Sequence, residues 1–289
     1  MPSPDYSLSL LPHFPVAEKQ PHTLTTHNKK RTDHYYWMRD DERKNEKVLA
    51  HLQAENNYCD EQLACIKPLQ NTLFEELKAR IVKDDNSVPV KDGKYWYHSE
   101  VRGDDEYARH YRSTSIKAEN KALLLDVNEL AQDFEFFDLG EVALSPNEQL
   151  MAYSQDTEGR RIYNVRFKNI STGEMLTDEL ENTEGQVVWA NDNKTVFYVK
   201  KDLQTLLGYQ VFRHELGSAQ SQDVLVYEEQ DSSFFMGLGK SRDEALIIID
   251  LASTESNDTW VLDANNPQGQ FSALMQREEG HEFDVDKLG

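Results

Sequence analysis

The sequence predicts a mainly β protein, a propeller-like series of short strands preceded by an α-helical arm. Three observations predict it. Apolar residues recur at helical spacing up to Ile81. Beyond Val88, short β-branched and aromatic runs alternate with polar turns. The turn-and-strand unit returns about every 45 to 55 residues, in the range of four-stranded propeller blades.

The arm covers residues 1–82 and the repeating region residues 83–289. Asp40 and Asp41 stand where carboxylates can cap and charge a helix start. Val48, Leu52, Cys59, Leu63 and Ile66 then line up one helical face. Pro68 interrupts this pattern and can open the next helix, because Pro is tolerated in a first turn. Leu69, Leu73, Leu77 and Ile81 follow in i, i+4 steps, with Phe74 beside them. Two amphipathic helices result, each needing a surface on which to bury its stripe.

In the repeating region, Tyr95 to Tyr97 follow the turn Lys91 to Lys94. Leu150 to Tyr153 follow Ser145 to Glu148, Thr195 to Tyr198 follow Ala190 to Asn193, and Ala245 to Ile249 follow Ser241 to Glu244. Asp, Asn, Gly and Pro enrich these turns, each for its own backbone reason. A second strand follows each first one: Tyr107 to Arg112, Ile162 to Asn169, Tyr209 to Leu216 and Thr259 to Leu262. About four blades fit, and propellers close with roughly 4–8. Phe271 to Arg277 and His281 to Asp286 read as strands, and the sequence reaches Gly289 without a closing strand. A β-sandwich also gives short strands and regular turns and stands as the alternative.

Composition narrows the function classes. Of 289 residues, 38% are hydrophobic, 29% charged and 10% aromatic, which fits a folded chain with a charged surface. A formal charge of -21 argues against nucleic acid as a partner, since phosphate contacts need clustered Lys and Arg. It suits solubility and the attraction of cationic peptides. Cys59 and Cys65 form neither a disulfide framework nor a C-x-x-C pair. No apolar run approaches the ~20 residues of a membrane span. Leu8 to Leu11 is too short for a signal-peptide core, which needs about 7–15 residues. A cytoplasmic protein is expected, with no membrane association.

No G-x-S-x-G elbow occurs, so no Ser is nominated as a nucleophile. Gly237-Leu238-Gly239-Lys240-Ser241 resembles the end of a phosphate-binding loop, but Phe234 stands where its first Gly belongs, and a turn between strands is expected. His22, His27 and His34 lie in the arm without zinc-ligand spacing. His51 and Glu55 read as a surface i, i+4 pair. Asp40-Asp41, Asp84-Asp85 and Asp104-Asp105 read as solvated turns or caps, and Tyr95-Trp96-Tyr97 as strand packing. No catalytic, cofactor-binding or metal-ligating residue is assigned, and no cofactor is expected.

The residues also carry a family likeness. His34 to Arg43, with the motif HYYWMRDDER, resembles the N-terminal signature of the oligopeptidase B (protease II) group in the prolyl oligopeptidase family of serine peptidases. Val48 to Asn56 resembles the segment after it. Further likeness lies at Tyr95 to Tyr97, Glu106 to Ala108, Phe167 to Asn169, Val188 to Asp192, Tyr209 to His214 and Tyr227 to Glu229, in the same order. The resemblance implies a seven-bladed propeller, here incomplete, that gates access for short peptides. It implies that the arm packs on a C-terminal α/β-hydrolase domain that this sequence lacks. That domain carries the Ser, His and Asp that cleave after Arg or Lys, so short basic peptides are the expected substrates of the full-length enzyme and this chain is expected to be inactive alone. The alternative is a non-enzymatic propeller that binds a protein partner.

Overall fold

The computed structural model describes residues 13–288, so the Leu8 to Leu11 stretch lies outside the described residues. The chain divides into two units, residues 1–83 and 84–289.

The first unit opens with an antiparallel hairpin that helical periodicity did not predict. Strands β1 (His22–Thr26) and β2 (Lys29–Asp33) pair with Thr26 opposite Lys29. His27 and Asn28 between them have φ of 51° and 60°, and left-handed backbone at both turn residues matches the twist of the flanking strands. The His22 ring stacks on Tyr36 at 4.1 Å, and Trp37 Nε1 donates to the Glu18 carbonyl at 2.9 Å.

Helix α1 (Glu46–Leu63) is capped by Asn45 rather than by Asp40 or Asp41. Asn45 Oδ1 accepts from the N–H groups of Lys47, at 3.0 Å, and Val48, at 3.4 Å. Asp40 acts one step back, accepting the Asn45 N–H at 2.7 Å, while Asp41 pairs with Arg39 at 3.3 Å. A turn between Asp40 and Asn45 puts both carboxylates too early to reach the first helical turn. Ala64–Ile66 tightens to a 3-10 turn, and α2 (Lys67–Ala79) follows with Pro68 in its first turn. Leu73, Leu77 and Ile81 are 48%, 60% and 69% exposed, so much of the predicted stripe finds no cover among the described residues.

The second unit is a series of antiparallel blades. The first comprises β3 (Asp85–Asn86) and β4 (Val90–Asp92), both paired to β5 (Tyr95–Val101), then β6 (Arg109–Ser113) and β7 (Ala122–Asp126). A short helix, α3 (Val127–Ala131), leads out of it with Asp126 as its cap. The second blade is β8 (Asp138–Leu144), β9 (Leu150–Asp156), β10 (Tyr163–Asn169) and the first half of β11 (Met175–Trp189). The second half of β11 begins the third blade, followed by β12 (Thr195–Lys201), β13 (Gly208–Glu215) and β14 (Val224–Glu228). The fourth is β15 (Phe235–Lys240), β16 (Leu246–Ala252), β17 (Asn257–Asp263) and β18 (Ser272–Ala273).

Strand β11 therefore serves two blades. Leu180 and Glu179 pair with Val165 and Arg166, whereas Val187 to Trp189 pair with Tyr198 to Val196. The register breaks between them, where Asn182 and Gly185 take φ of 61° and 102°. Gly185 also lies against Tyr163, whose ring would meet an added Cβ at 3.0 Å.

The blades stack face to face, and the two-residue period of a strand explains how. On β12, Val196 and Tyr198 pack toward the second blade with Val165, Phe167 and Trp189. Phe197 and Val199 pack toward the fourth with Val211, Leu238, Ile247 and Ile249. Most of these side chains are fully buried, and each contributes about 1.5–3 kcal/mol relative to exposure. A sandwich would bury one face of each sheet; here the central strands bury both. This sequential stacking is that of a propeller.

The chain after β17 departs from expectation. Only Ser272–Ala273 pairs as a strand within Phe271 to Arg277, and His281 to Asp286 is not a strand. The His281 carbonyl accepts the Asn257 N–H at 3.2 Å, and Phe283 N–H donates to Asn257 Oδ1 at 2.8 Å. Farther on, the Lys287 carbonyl accepts from Asp243 N–H at 3.3 Å and Asp286 from Arg242 N–H at 2.9 Å. The segment runs past the fourth blade in the direction of β15, fastened by side chains and turn backbone instead of a ladder.

Candidate functional site

Four turns of equivalent position lead into the second strand of each blade. Each ends on a left-handed residue: Gly93 (φ 52°), Glu148 (58°), Asn193 (63°) and Glu244 (57°). Their side chains satisfy the turn backbone. Ser145 Oγ accepts the Leu150 N–H at 3.0 Å, Asp192 Oδ1 accepts that of Thr195 at 2.9 Å, and Ser241 Oγ accepts that of Leu246 at 2.9 Å.

The turns are also joined to one another. Lys94 N–H donates to Glu148 Oε1 at 2.8 Å, and Asn147 N–H donates to Asn193 Oδ1 at 2.7 Å. Asn191 Nδ2 donates to the Glu244 carbonyl at 3.3 Å, and Lys240 Nζ to Asn191 Oδ1 at 2.7 Å. Neighbouring blades thus hold their inner ends together through polar side chains.

Beside these turns lies a cavity of about 290 Å³, lined from all four blades. Asp92, Glu141, Glu148 and Glu244 line it, against the single cation Lys240, with Tyr97 and Trp189 as aromatic walls. Burial pushes the Glu141 carboxyl up. Burial pushes the Lys240 ammonium down, with Glu244 opposing it. Burial and the nearby Glu148 carboxylate push the Tyr97 phenol up to about 12. The wall is acidic and suited to cationic groups. No His and no Cys is among the residues that line it, and Ser145 is committed to its own turn through Asn147 and Leu150.

The other sequence candidates fall outside this cavity or into structural roles. Gly237 to Lys240 lies within β15, so the glycine-lysine run is strand rather than turn, with only Ser241 beginning the turn. His51 and Glu55 stand 3.6 Å apart on α1. Asp84 accepts the Gly103 N–H at 3.0 Å, Asp85 that of Asn86 at 2.9 Å, and Asp105 pairs with Arg109. Tyr95 lies under the Arg112 guanidinium at 4.3 Å, and Tyr97 packs on the core between the first two blades. Among the described residues, no group of three His, Cys, Asp or Glu is arranged to hold a metal ion, and no helix is long and apolar enough to cross a membrane. Sequence reasoning missed Glu141, Glu148, Lys240 and Glu244 as neighbours. Aligning the turns of the repeat against one another is the signal that finds two of them, Glu148 and Glu244.

Comparison with known proteins gives this geometry a family. The family described as "Prolyl oligopeptidase, N-terminal beta-propeller domain" matches residues 15–289. Dipeptidyl aminopeptidase BI of Pseudoxanthomonas mexicana is 43% identical over 95% of this chain and 40% of its own length. Protease 2 of Moraxella lacunata is 27% identical over 94% of this chain and 40% of its own length. The solved structure of oligopeptidase B from Leishmania major superposes with a TM-score of 0.89 at 32% identity, over 96% of this chain and 41% of that one. Oligopeptidase B from Trypanosoma brucei, with covalently bound antipain, gives 0.86 at 30% identity, over 96% of this chain and 41% of that one. The chain spans about 40% of the length of the curated relatives it matches. It belongs to the prolyl oligopeptidase family, and its stacked blades are that family's N-terminal β-propeller domain.

Proposed function

We propose that this chain is the substrate-gating propeller portion of a serine oligopeptidase that hydrolyses short peptides after Arg or Lys. The observation that carries this reading is the likeness to oligopeptidase B structures over 96% of the chain. The acidic cavity wall of Asp92, Glu141, Glu148 and Glu244 supports it, because such a wall favours entry of cationic peptides. In this reading residues 1–82 are an arm whose Leu73, Leu77 and Ile81 stripe docks on a C-terminal α/β-hydrolase domain, and residues 83–289 supply about four blades of the gate. Cleavage chemistry belongs to that hydrolase domain, so the chain alone does not hydrolyse peptides. Short basic peptides are the partners of the assembled enzyme, working in the cytoplasm.

A second reading, release of dipeptides from free N-termini, is favoured by the 43% identity to dipeptidyl aminopeptidase BI. One experiment separates the two. The chain is joined to the C-terminal hydrolase domain of that relative and offered reporter peptides with Arg, Lys or Leu before the reporter, each with a free or a blocked N-terminus. Preference for Arg and Lys regardless of blocking supports the oligopeptidase reading. Loss of activity on blocked peptides supports dipeptide release, and preference for Leu overturns the basic specificity.

A further inference from the structure

His214 on β13 is fully buried, and both of its ring nitrogens face carboxylates. Nδ1 lies 2.7 Å from Asp223 Oδ1, and Nε2 lies 3.2 Å from Asp178 Oδ1. The carboxylate side chains are 5% and 1% exposed at Asp178 and Asp223. A neutral imidazole has one N–H and can serve only one of two ionised carboxylates; the imidazolium serves both. Burial opposes the charged ring, but Asp223 and Asp178 outweigh it and hold its pKa above the ordinary value.

The bridge joins two blades. Asp178 belongs to the first half of β11, on the outer strand of the second blade. His214 and Asp223 belong to the third blade, on and after β13. The same seam carries further bonds. Gly217 N–H donates to Asp178, and Tyr198 O–H donates to Asp223 Oδ2 at 2.9 Å. The Gln220 side chain accepts the Glu181 N–H and donates to the Glu181 carbonyl, both at 3.1 Å. Around the ring, Phe167 of β10 stacks at 6.1 Å and Val196 of β12 stands opposite in the ladder. The titratable groups facing His214 are thus Asp178 from β11 and Asp223 ahead of β14, with Tyr198 of β12 acting through Asp223.

We propose that Asp178–His214–Asp223 is a proton-dependent clasp that fixes the seam between the second and third blades, and that loss of the His214 proton loosens it. Deprotonation leaves two buried carboxylates sharing one ring N–H, with the bare ring nitrogen facing a carboxylate oxygen and no proton between them. The sign follows from linkage. The clasp contributes fully below the unfolded histidine value of about 6.5 and fades as pH rises through the higher folded value.

The test is hydrogen exchange of the chain between pH 5 and pH 9, after correction for the intrinsic rate, together with the ¹⁵N signals of the His214 ring. The expected result is a doubly protonated ring at pH 7. Protection at Leu180 to Thr183 and Val211 to Leu216 should be level below about pH 6.5, then fall by up to about tenfold per pH unit until the folded value is passed. His214→Gln should remove that slope. A neutral ring at pH 7, or the same slope in His214→Gln, overturns the proposal. Should the variant not fold, the ring signals of the unaltered chain decide alone.

Discussion

Glu148 Oε1 accepts the backbone N–H of Lys94 at 2.8 Å, so a side chain from the second blade's inner turn closes the inner turn of the first. Gly93 makes this approach possible. It has φ of 52°, and an added Cβ would collide with the same carboxylate. Gly93→Ala is therefore expected to lower stability by about 1–2 kcal/mol, through left-handed backbone and displacement of Glu148. Glu148→Gln keeps an acceptor and is expected to cost less. Urea unfolding midpoints of both variants, against the unaltered chain, check the order.

Asp156 sits at the opposite end of β9 with 2% exposure. It accepts the N–H groups of Glu158 at 2.9 Å, Gly159 at 3.0 Å and Arg161 at 2.6 Å. Asp156→Ala leaves these donors without their acceptor and is expected to cost about 1–3 kcal/mol. A lower urea midpoint with an unchanged slope is the outcome that fits.

Glu100 in the first blade carries an acid-side prediction. Burial raises its carboxyl, but Lys121, Arg102 and His98 outweigh it and bring the pKa down to about 2. The folded value lies below the unfolded value of about 4.3. Its contribution is therefore complete above about pH 4.3 and disappears as pH falls toward 2. Glu100→Gln is expected to flatten the acid limb of the stability curve, measured by urea midpoints from pH 2 to 6.

Gly140 on β8 tests how that strand packs against Ser154 of β9 and Tyr163 of β10. An added Cβ would collide with Ser154 Oγ and meet the Tyr163 ring at 2.9 Å. Gly140→Ala is expected to cost about 1–3 kcal/mol through overpacking. A thermal midpoint equal to that of the unaltered chain contradicts this placement of β8 on β9.

Much of the fold was legible because its strongest signals are local. Second strands such as β9, β12 and β16 combine a short continuous apolar run with an Asn- or Asp-containing turn just before them, and the structure places them within a few residues of expectation. Strands at the blade margins carry no such signal. The first half of β11, Met175 to Asn182, is largely polar because an outer strand meets water on one side, and Gly237 and Gly239 made β15 look like a turn. The segment His281 to Asp286 alternates like a strand, yet it is fastened by Asn257 and the turn at Asp243 instead of a ladder. The cavity wall and the His214 clasp were illegible for another reason. Asp178 lies 36 residues before His214, and Glu141 lies far from Glu244, so only blade stacking brings them together. The family likeness supplied what periodicity could not, namely that the stacked blades belong to a peptidase family.

The proposed division of labour between gate and catalytic domain is tested most directly by release of a reporter from an Arg-linked peptide by the purified chain alone. The account predicts no release above background. Release that is abolished by a serine-directed organophosphonate would contradict it, because it would place a working nucleophile within these 289 residues.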